Sequence, residues 1–451
     1  MEQVQTNRIT EGVIWKQLFV FFFPIMLGTF FQQLYNTIDA IIVGQFVGKT
    51  ALSAVGGSAS SILNMMTGFF VGVSTGATVL ISQYFGAKKE KRVKEAVGGA
   101  VAMALAGGIV LMILCFSFAH IALRAMDTPP ETMKESLIFM KISAFGLIPS
   151  LIYNMGAGIL RAMGDSKRPL IFLMTSCLLN IVLDFIFVVG LHKGVAGAAT
   201  ATVLAQCSSA VLVMYVLIFR LGAYGLTKSN LKFRRYLLLP MIAIGLPGGI
   251  QSMMYAFSNI VIQSDMNQFG TNTVAAWAAY AKIDGIYWMI TSAIGVAVTT
   301  FTGQNFGAGK IERIKKGLKI CMVAAGAISV FMGALVVLFA KPLLFVFSSD
   351  AEVVSIGIRM IHIISPMYFT YVCIETLSGV CRGCGKVLIP TVISMVGVCG
   401  LRIVWLISVV PLHHTVEMIC YAYPLTWIIT SFAFIVYYKR GGIFLRTLKS
   451  Y

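Results

Sequence analysis

The sequence predicts an all-α, polytopic integral membrane protein with twelve transmembrane helices in two pseudo-symmetric six-helix lobes. Three observations carry this. The 451 residues are 58% hydrophobic and 12% charged, with a mean hydropathy of +0.86, whereas a soluble domain is about a quarter charged. Apolar runs of about 20 residues, each long enough to cross ~30 Å of hydrocarbon as a helix, recur along the whole chain. The second half also repeats short stretches of the first in the same order.

The spans follow in chain order. Span 1 (15–43) contains Pro24, Tyr35, Asn36 and Asp39, and a loop with Lys49 leads into span 2 (52–82). Lys88, Lys89, Lys91 and Arg92 precede span 3 (93–119), at whose start Lys94 lies, and Arg124 and Lys134 precede span 4 (135–160), which holds Lys141 and Asn154. After Arg161, Lys167 and Arg168 comes span 5 (169–190) with Asn180 and Asp184; Lys193 then precedes span 6 (195–220) with Thr202. Span 7 (237–268) carries Gln251 and Asp265, and span 8 (275–303) carries Lys282 and Asp284. Span 9 (318–340) follows Lys310, Arg313, Lys315 and Lys316 and has Lys319 at its start; span 10 (355–380) holds Glu375, span 11 (389–410) holds Arg402, and span 12 (417–438) runs into Lys439, Arg440, Arg446 and Lys449.

The basic residues alternate between poor and rich loops. Because cytoplasmic loops retain Lys and Arg, both termini are expected in the cytoplasm. This placement also accounts for the net charge of +18 without nucleic acid as a partner. The start, MEQVQTNRITEGVIWKQ, lacks the basic, apolar and small-residue regions of a removable signal peptide, so span 1 is expected to remain. Nine cysteines lie mostly within spans and read as small apolar residues.

SQYFGAKKEKRVKEAV (82–97) is echoed by GQNFGAGKIERIKKGL (303–318), an offset of 221 that returns between GILRAMGDSKRP (158–169) and GVCRGCGKVLIP (379–390). With a two-residue slip Pro24 matches Pro247. The halves are therefore read as parallel repeats about an axis along the membrane normal: 1–220 as the amino-terminal lobe, 221–236 as a basic cytoplasmic linker, and 237–451 as the carboxy-terminal lobe.

Counted at ~1.5 Å per helical residue, Asp39 lies roughly 9 Å below the outer end of span 1 and Asp184 about as deep in span 5. Asn180 is one turn from Asp184, and Thr202 falls at a similar level. No basic residue of that half sits at this depth; Lys141 is near the outer boundary, where it can snorkel. Two acids without a cation either share a proton or bind a metal ion, and Na+ suits such hard oxygen ligands. The bland alternative is that each acid is hydrogen-bonded for packing, but intramembrane acids are functional by default. Asp265, Lys282, Asp284 and Arg402 sum to zero and read as a structural charge cluster. Glu375, matched to Asn154 in the repeat, is a candidate substrate or second coupling site together with Asn154 and Gln251, and a structural role for it is equally open. Cys381 and Cys384 form a single CxxC without nearby histidines and do not read as a metal site.

The order FPIMLGTFFQQLYNTIDAIIVGQF, SQYFGAKKEKRVKEA, GILRAMGDSKRP, NIVLD, GQNFGAG and VCRGCGK, with its six-plus-six repeat, resembles the multidrug and toxic compound extrusion (MATE) transporters, and in particular bacterial and archaeal members with an amino-lobe cation site. The resemblance implies a V-shaped pair of six-helix lobes that alternate in access and export organic cationic or amphipathic compounds, drugs and toxins, in exchange for Na+ or H+. It carries the cation site onto Asp39, Asn180, Asp184 and Thr202, with Tyr35 and Asn36 as neighbours. The chain departs from members with an acid early in span 7: GLPGGIQSMMYAF offers Gln251 instead, which favours the amino-lobe site. Pro24 is the expected hinge, since proline removes a helix hydrogen bond. The implied protein is a monomer of the cell membrane with no cofactor beyond its coupling ion and no enzymatic activity. A flippase for a lipid-linked or other amphipathic metabolite is the alternative, and a membrane enzyme or a channel a remoter one.

Overall fold

The computed structural model describes residues 9–440; Arg446 and Lys449, counted above among the cytoplasmic basic residues, lie outside them. Twelve helices in it are long and apolar enough to cross a membrane, one over each expected span. They are α1 (Ile14–Phe46), α2 (Lys49–Gly86), α3 (Glu90–Ala125), α4 (Pro130–Ala162), α5 (Lys167–Gly190), α6 (Gly194–Phe219), α7 (Arg235–Asn267), α8 (Thr271–Gly307), α9 (Ile311–Leu338), α10 (Ala351–Gly383), α11 (Leu388–Leu412) and α12 (Val416–Lys439). Helix is the form these segments must take, because hydrocarbon offers no partner for a free backbone N–H or C=O.

Ends and breaks have local causes. Asp350 caps α10 by accepting from the backbone N–H of Glu352 (2.8 Å) and Val353 (3.2 Å), satisfying donors that a helix start leaves open. Pro130 opens α4, where its missing N–H costs nothing. α2 is interrupted at Gly57, and α10 tightens into a 3-10 turn over Ser365–Tyr371, at Pro366. α5 and α11 each widen into a π-turn, at Phe185–Gly190 and Met395–Gly400.

The chain divides into two compact units. One comprises Val20–Gly249. Its core joins α2, α3, α4 and α6 through residues such as Ile81, Val97, Leu151, Met155 and Val213. The first half of α7 belongs to this unit because glycines let it touch α2 backbone to backbone. A Cβ on Gly76 would lie 1.9 Å from the Met241 carbonyl oxygen, and one on Gly245 would lie 2.0 Å from that of Val73. Close approach through small residues is the usual device of membrane helices, which gain little from burying apolar surface away from apolar lipid. At the start of α7, Arg234 (2.8 Å) and the Tyr236 hydroxyl (2.6 Å) both donate to the Glu95 carboxylate on α3.

The other unit comprises Thr10–Phe19 and the chain from Ile250 onward. Lys310 Nζ donates to the Thr10 carbonyl (2.8 Å), and Arg313 donates to those of Gly12 (2.8 Å) and Glu11 (2.9 Å), which ties the entry to α1 into this unit. Its interior is aromatic: Tyr287 and Tyr368 stack at 3.9 Å, and Trp427 meets Trp288, Tyr371 and Tyr423 edge-on at 5.7–5.9 Å. α1 thus changes unit between Phe19 and Val20, and α7 between Gly249 and Ile250. Pro24 and Pro247 lie close to those points.

Candidate functional site

In the unit formed by Val20–Gly249, α1 and α5 bring the carboxyls of Asp39 and Asp184 together, with Tyr35 beside both and Thr202 of α6 beside Tyr35. Spacing of i,i+4 puts Tyr35 and Asp39 on one face of α1, and Asn180 and Asp184 on one face of α5. Asp39 is 8% exposed, Asn180 1% and Asp184 0%. The carboxyls of Asp39 and Asp184 come within hydrogen-bonding reach of each other once one carries a proton. Tyr35 lies beside both carboxylates and beside the Thr202 hydroxyl. Asp184 is the last residue before the π-turn of α5, and such turns recur at functional sites.

This arrangement is electrically incomplete. Asp39 Oδ1, both carboxylate oxygens of Asp184, both amide atoms of Asn180 and Thr202 Oγ1 are buried and make no hydrogen bond. No Lys or Arg among the described residues forms an ion pair with either acid. Buried carboxylates without a partner cost several kcal/mol each, so the set calls for a proton or a small hard cation. Carboxylate, amide and hydroxyl oxygens are the donor types such a cation takes.

A pocket opens beside this set in the same unit. Tyr35 and Thr202 belong to its wall, together with Gln32, Asn154, Cys177 and Gln206, and no charged side chain lines it. Asn36, on the next position of α1, is exposed and is not part of the wall. Pro24 sits buried within a continuous α1. Of the three residues expected at a second site, only Asn154 lines this pocket. Glu375 and Gln251 belong to the other unit, where Glu375 pairs with Arg382 at 2.8 Å. Gln251 donates to the Tyr255 hydroxyl at 3.2 Å, and Tyr255 in turn neighbours Tyr371.

The expected charge cluster takes a different form. None of Asp265, Lys282, Asp284 and Arg402 forms an ion pair among the described residues. Asp284 instead accepts from the Tyr368 hydroxyl (2.6 Å) and the Trp288 indole N–H (2.6 Å). Arg402, 4% exposed, lies with its guanidinium 4.0 Å above the ring of Tyr423. Lys282 is exposed, and Asp265 lies near His414. Arg402 is near enough to act on Asp284 electrostatically, but aromatic donors and a ring face make the direct contacts of the two, since counting depth along a helix says nothing of azimuth. Tyr153, Ser176 and Gln206 of the pocket were not singled out in the sequence. As uncharged residues they carry too small an insertion penalty to flag them, although i,i+4 spacing puts Ser176 on the face of Asn180 and Gln206 on that of Thr202; Tyr153, next to Asn154, has no such signal.

The MatE family model matches residues 24–186 and 247–407, once in each half. The chain is 27% identical over 409 residues to the probable multidrug resistance protein YoeA of Bacillus subtilis, covering 89% of this chain and 88% of that protein. It is 25% identical over 393 residues to the probable multidrug resistance protein NorM of Thermotoga maritima, covering 86% and 84%. Among solved structures, a MATE in the bent conformation superposes with a TM-score of 0.90 at 20% identity, covering 97% of this chain and 98% of that one. An outward-facing multidrug resistance MATE transporter of the MOP superfamily gives 0.89 at 21%, over the whole of both chains.

Proposed function

The chain belongs to the MatE family, the multidrug and toxic compound extrusion transporters, and we propose that it exports organic cationic or amphipathic compounds in exchange for Na+ or H+ by alternating access. The observation that carries this is the buried pair Asp39 and Asp184, with Asp39 Oδ1 and both Asp184 oxygens lacking partners, in the same unit as an uncharged polar pocket.

The coupling ion is cargo, and Asp39, Asn180, Asp184 and Thr202 would hold it. Its charge neutralises the two carboxylates, removing the repulsion that keeps them apart. Tyr35 and Thr202 are shared between the carboxylate set and the pocket wall, so closing around the ion alters the pocket. Ion and drug then bind the two states unequally, which is all that coupling requires. The segments 1–220 and 237–451 act as the two lobes, joined by the linker 221–236, with α1 bending at Pro24. The protein works as a monomer in the cell membrane with both termini in the cytoplasm. Glu375 and Gln251 remain candidates for a second site.

The test is efflux of a fluorescent organic cation from vesicles of purified protein under separately imposed Na+ and pH gradients. Gradient-driven exchange by the wild type, lost in Asp39→Asn and Asp184→Asn, is the expected result. Exchange at the wild-type rate in both variants rules the site out.

A further inference from the structure

Several polar side chains of the pocket have given hydrogens away. The Tyr153 hydroxyl donates to the Pro169 carbonyl (3.0 Å), the Ser176 hydroxyl to that of Ala205 (2.6 Å), and the Ser209 hydroxyl to that of Gln206 (2.9 Å). The Asn154 amide nitrogen donates to the Ser150 carbonyl (2.8 Å). Each acceptor here is a carbonyl oxygen, which cannot donate, so the direction of every bond is settled. A hydroxyl has one hydrogen and two lone pairs, and an amide oxygen only lone pairs. The three hydroxyls therefore have only acceptor capacity left, while Asn154 keeps its carbonyl oxygen and one amide hydrogen.

Other donors remain elsewhere in the wall. Gln32 and Gln206 carry primary amides, Asn154 keeps one amide hydrogen, Ser150 and Thr202 carry hydroxyls, and Tyr35 carries one that lies beside the carboxylates. No lysine or arginine lines the pocket, so nothing cationic competes for the free lone pairs. A ligand that sits against Tyr153, Ser176 and Ser209 must bring N–H or O–H groups of its own, or leave those acceptors unpaired.

We propose that the pocket selects protonated amines and guanidinium groups, whose charge is carried on N–H donors, over quaternary ammonium ions of the same size and charge. This rests on the reading of the chain as an organic-cation exporter and names the chemical class it prefers. Both kinds of cation feel the field of Asp39 and Asp184 and the faces of Phe31, Tyr35 and Tyr153. Aromatic faces alone bind quaternary ammonium well. Only the N–H bearing cation satisfies the lone pairs.

The test is a fluorescence titration of the purified full-length protein in detergent with two probes, dansylcadaverine and its N,N,N-trimethyl derivative. We expect the primary ammonium to bind at least about tenfold more tightly, the equivalent of one charge-assisted hydrogen bond. In Tyr153→Phe and in Asn154→Leu that ratio should fall to below about threefold. The conservative Tyr153→Phe keeps the inference testable should Asn154→Leu fail to fold. Equal affinities in the wild type, or an undiminished ratio in the variants, overturn the inference. Efflux of the same probes from vesicles separates the two claims: transport of both at equal affinity sinks the selectivity alone, and transport of neither sinks the exporter reading.

Discussion

The Glu375 carboxylate occupies the space that a side chain on Gly295 would need: a Cβ built there would lie 1.8 Å from Glu375 Oε1. The same oxygen receives Arg382 at 2.8 Å, seven residues along α10. The glycine on α8 is what allows the ion pair to form. Gly295→Ala should displace the carboxylate and cost about 1–3 kcal/mol, the usual range for overpacking. The check is a double-mutant cycle of thermal stability in detergent. Glu375→Ala should absorb most of the Gly295→Ala penalty, and strict additivity would refute the contact.

Asp39 and Asp184 repel one another in the absence of a cation. Asp184→Asn should therefore abolish ion-driven exchange while leaving the protein as stable as the wild type, or more so, in Na+-free buffer. Trading stability for function is common at such sites. Thermal unfolding with and without Na+ supplies the measurement: Na+ should stabilise the wild type by mass action and the variant much less. A fall in stability of several kcal/mol in Asp184→Asn would mean that the pair serves packing.

The crossing of α2 and α7 leaves no room for a single methyl group at Gly76 or Gly245. Gly245→Ala should cost more than about 3 kcal/mol, at or beyond the upper end for overpacking, because its obstacle is the Val73 backbone and not a movable side chain. Size-exclusion profiles of detergent extracts should show loss of the monodisperse species. By contrast, alanine at Gly68, which meets nothing within 4 Å, should be tolerated.

Glu95 holds the start of α7 through Arg234 and Tyr236, and its own helix adds Arg92 at 3.9 Å. Burying one acid that collects several donors is worth more than an exposed pair. Glu95→Ala should release this segment, and limited trypsin digestion at Arg234 and Arg235 should speed up by about tenfold, the effect of ~1.4 kcal/mol on local opening. An unchanged digestion rate would show that the segment is held by other contacts.

Asp284 is satisfied by neutral donors. Asp284→Asn keeps one acceptor oxygen but turns an amide N–H₂ toward either Tyr368 or Trp288, leaving a buried donor unpaired at about 1–3 kcal/mol. The variant should melt earlier yet keep its Na+ or H+ coupled exchange. Loss of coupling with unaltered stability would move Asp284 from packing to transport.

Hydrophobic length and charge alternation were enough to determine the twelve helices, because a bilayer forces every backbone group to pair within its own segment and punishes each charge at depth. The repeat and the solitary acids Asp39 and Asp184 were legible for the same reason: an unpaired carboxylate is conspicuous in a sequence with 12% charged residues. Azimuth was not legible. Depth alone grouped Asp284 with Lys282 and Arg402, whereas rotation about the helix axes gave Asp284 to Tyr368 and Trp288 and set Arg402 on Tyr423. The tertiary structure alone decided that Glu375 rests over Gly295, that α2 and α7 touch through glycines, and that Tyr153, Ser176 and Ser209 have already spent their hydrogens. Those facts depend on which faces of different helices meet, and pairing between remote faces leaves no periodic mark in a single chain.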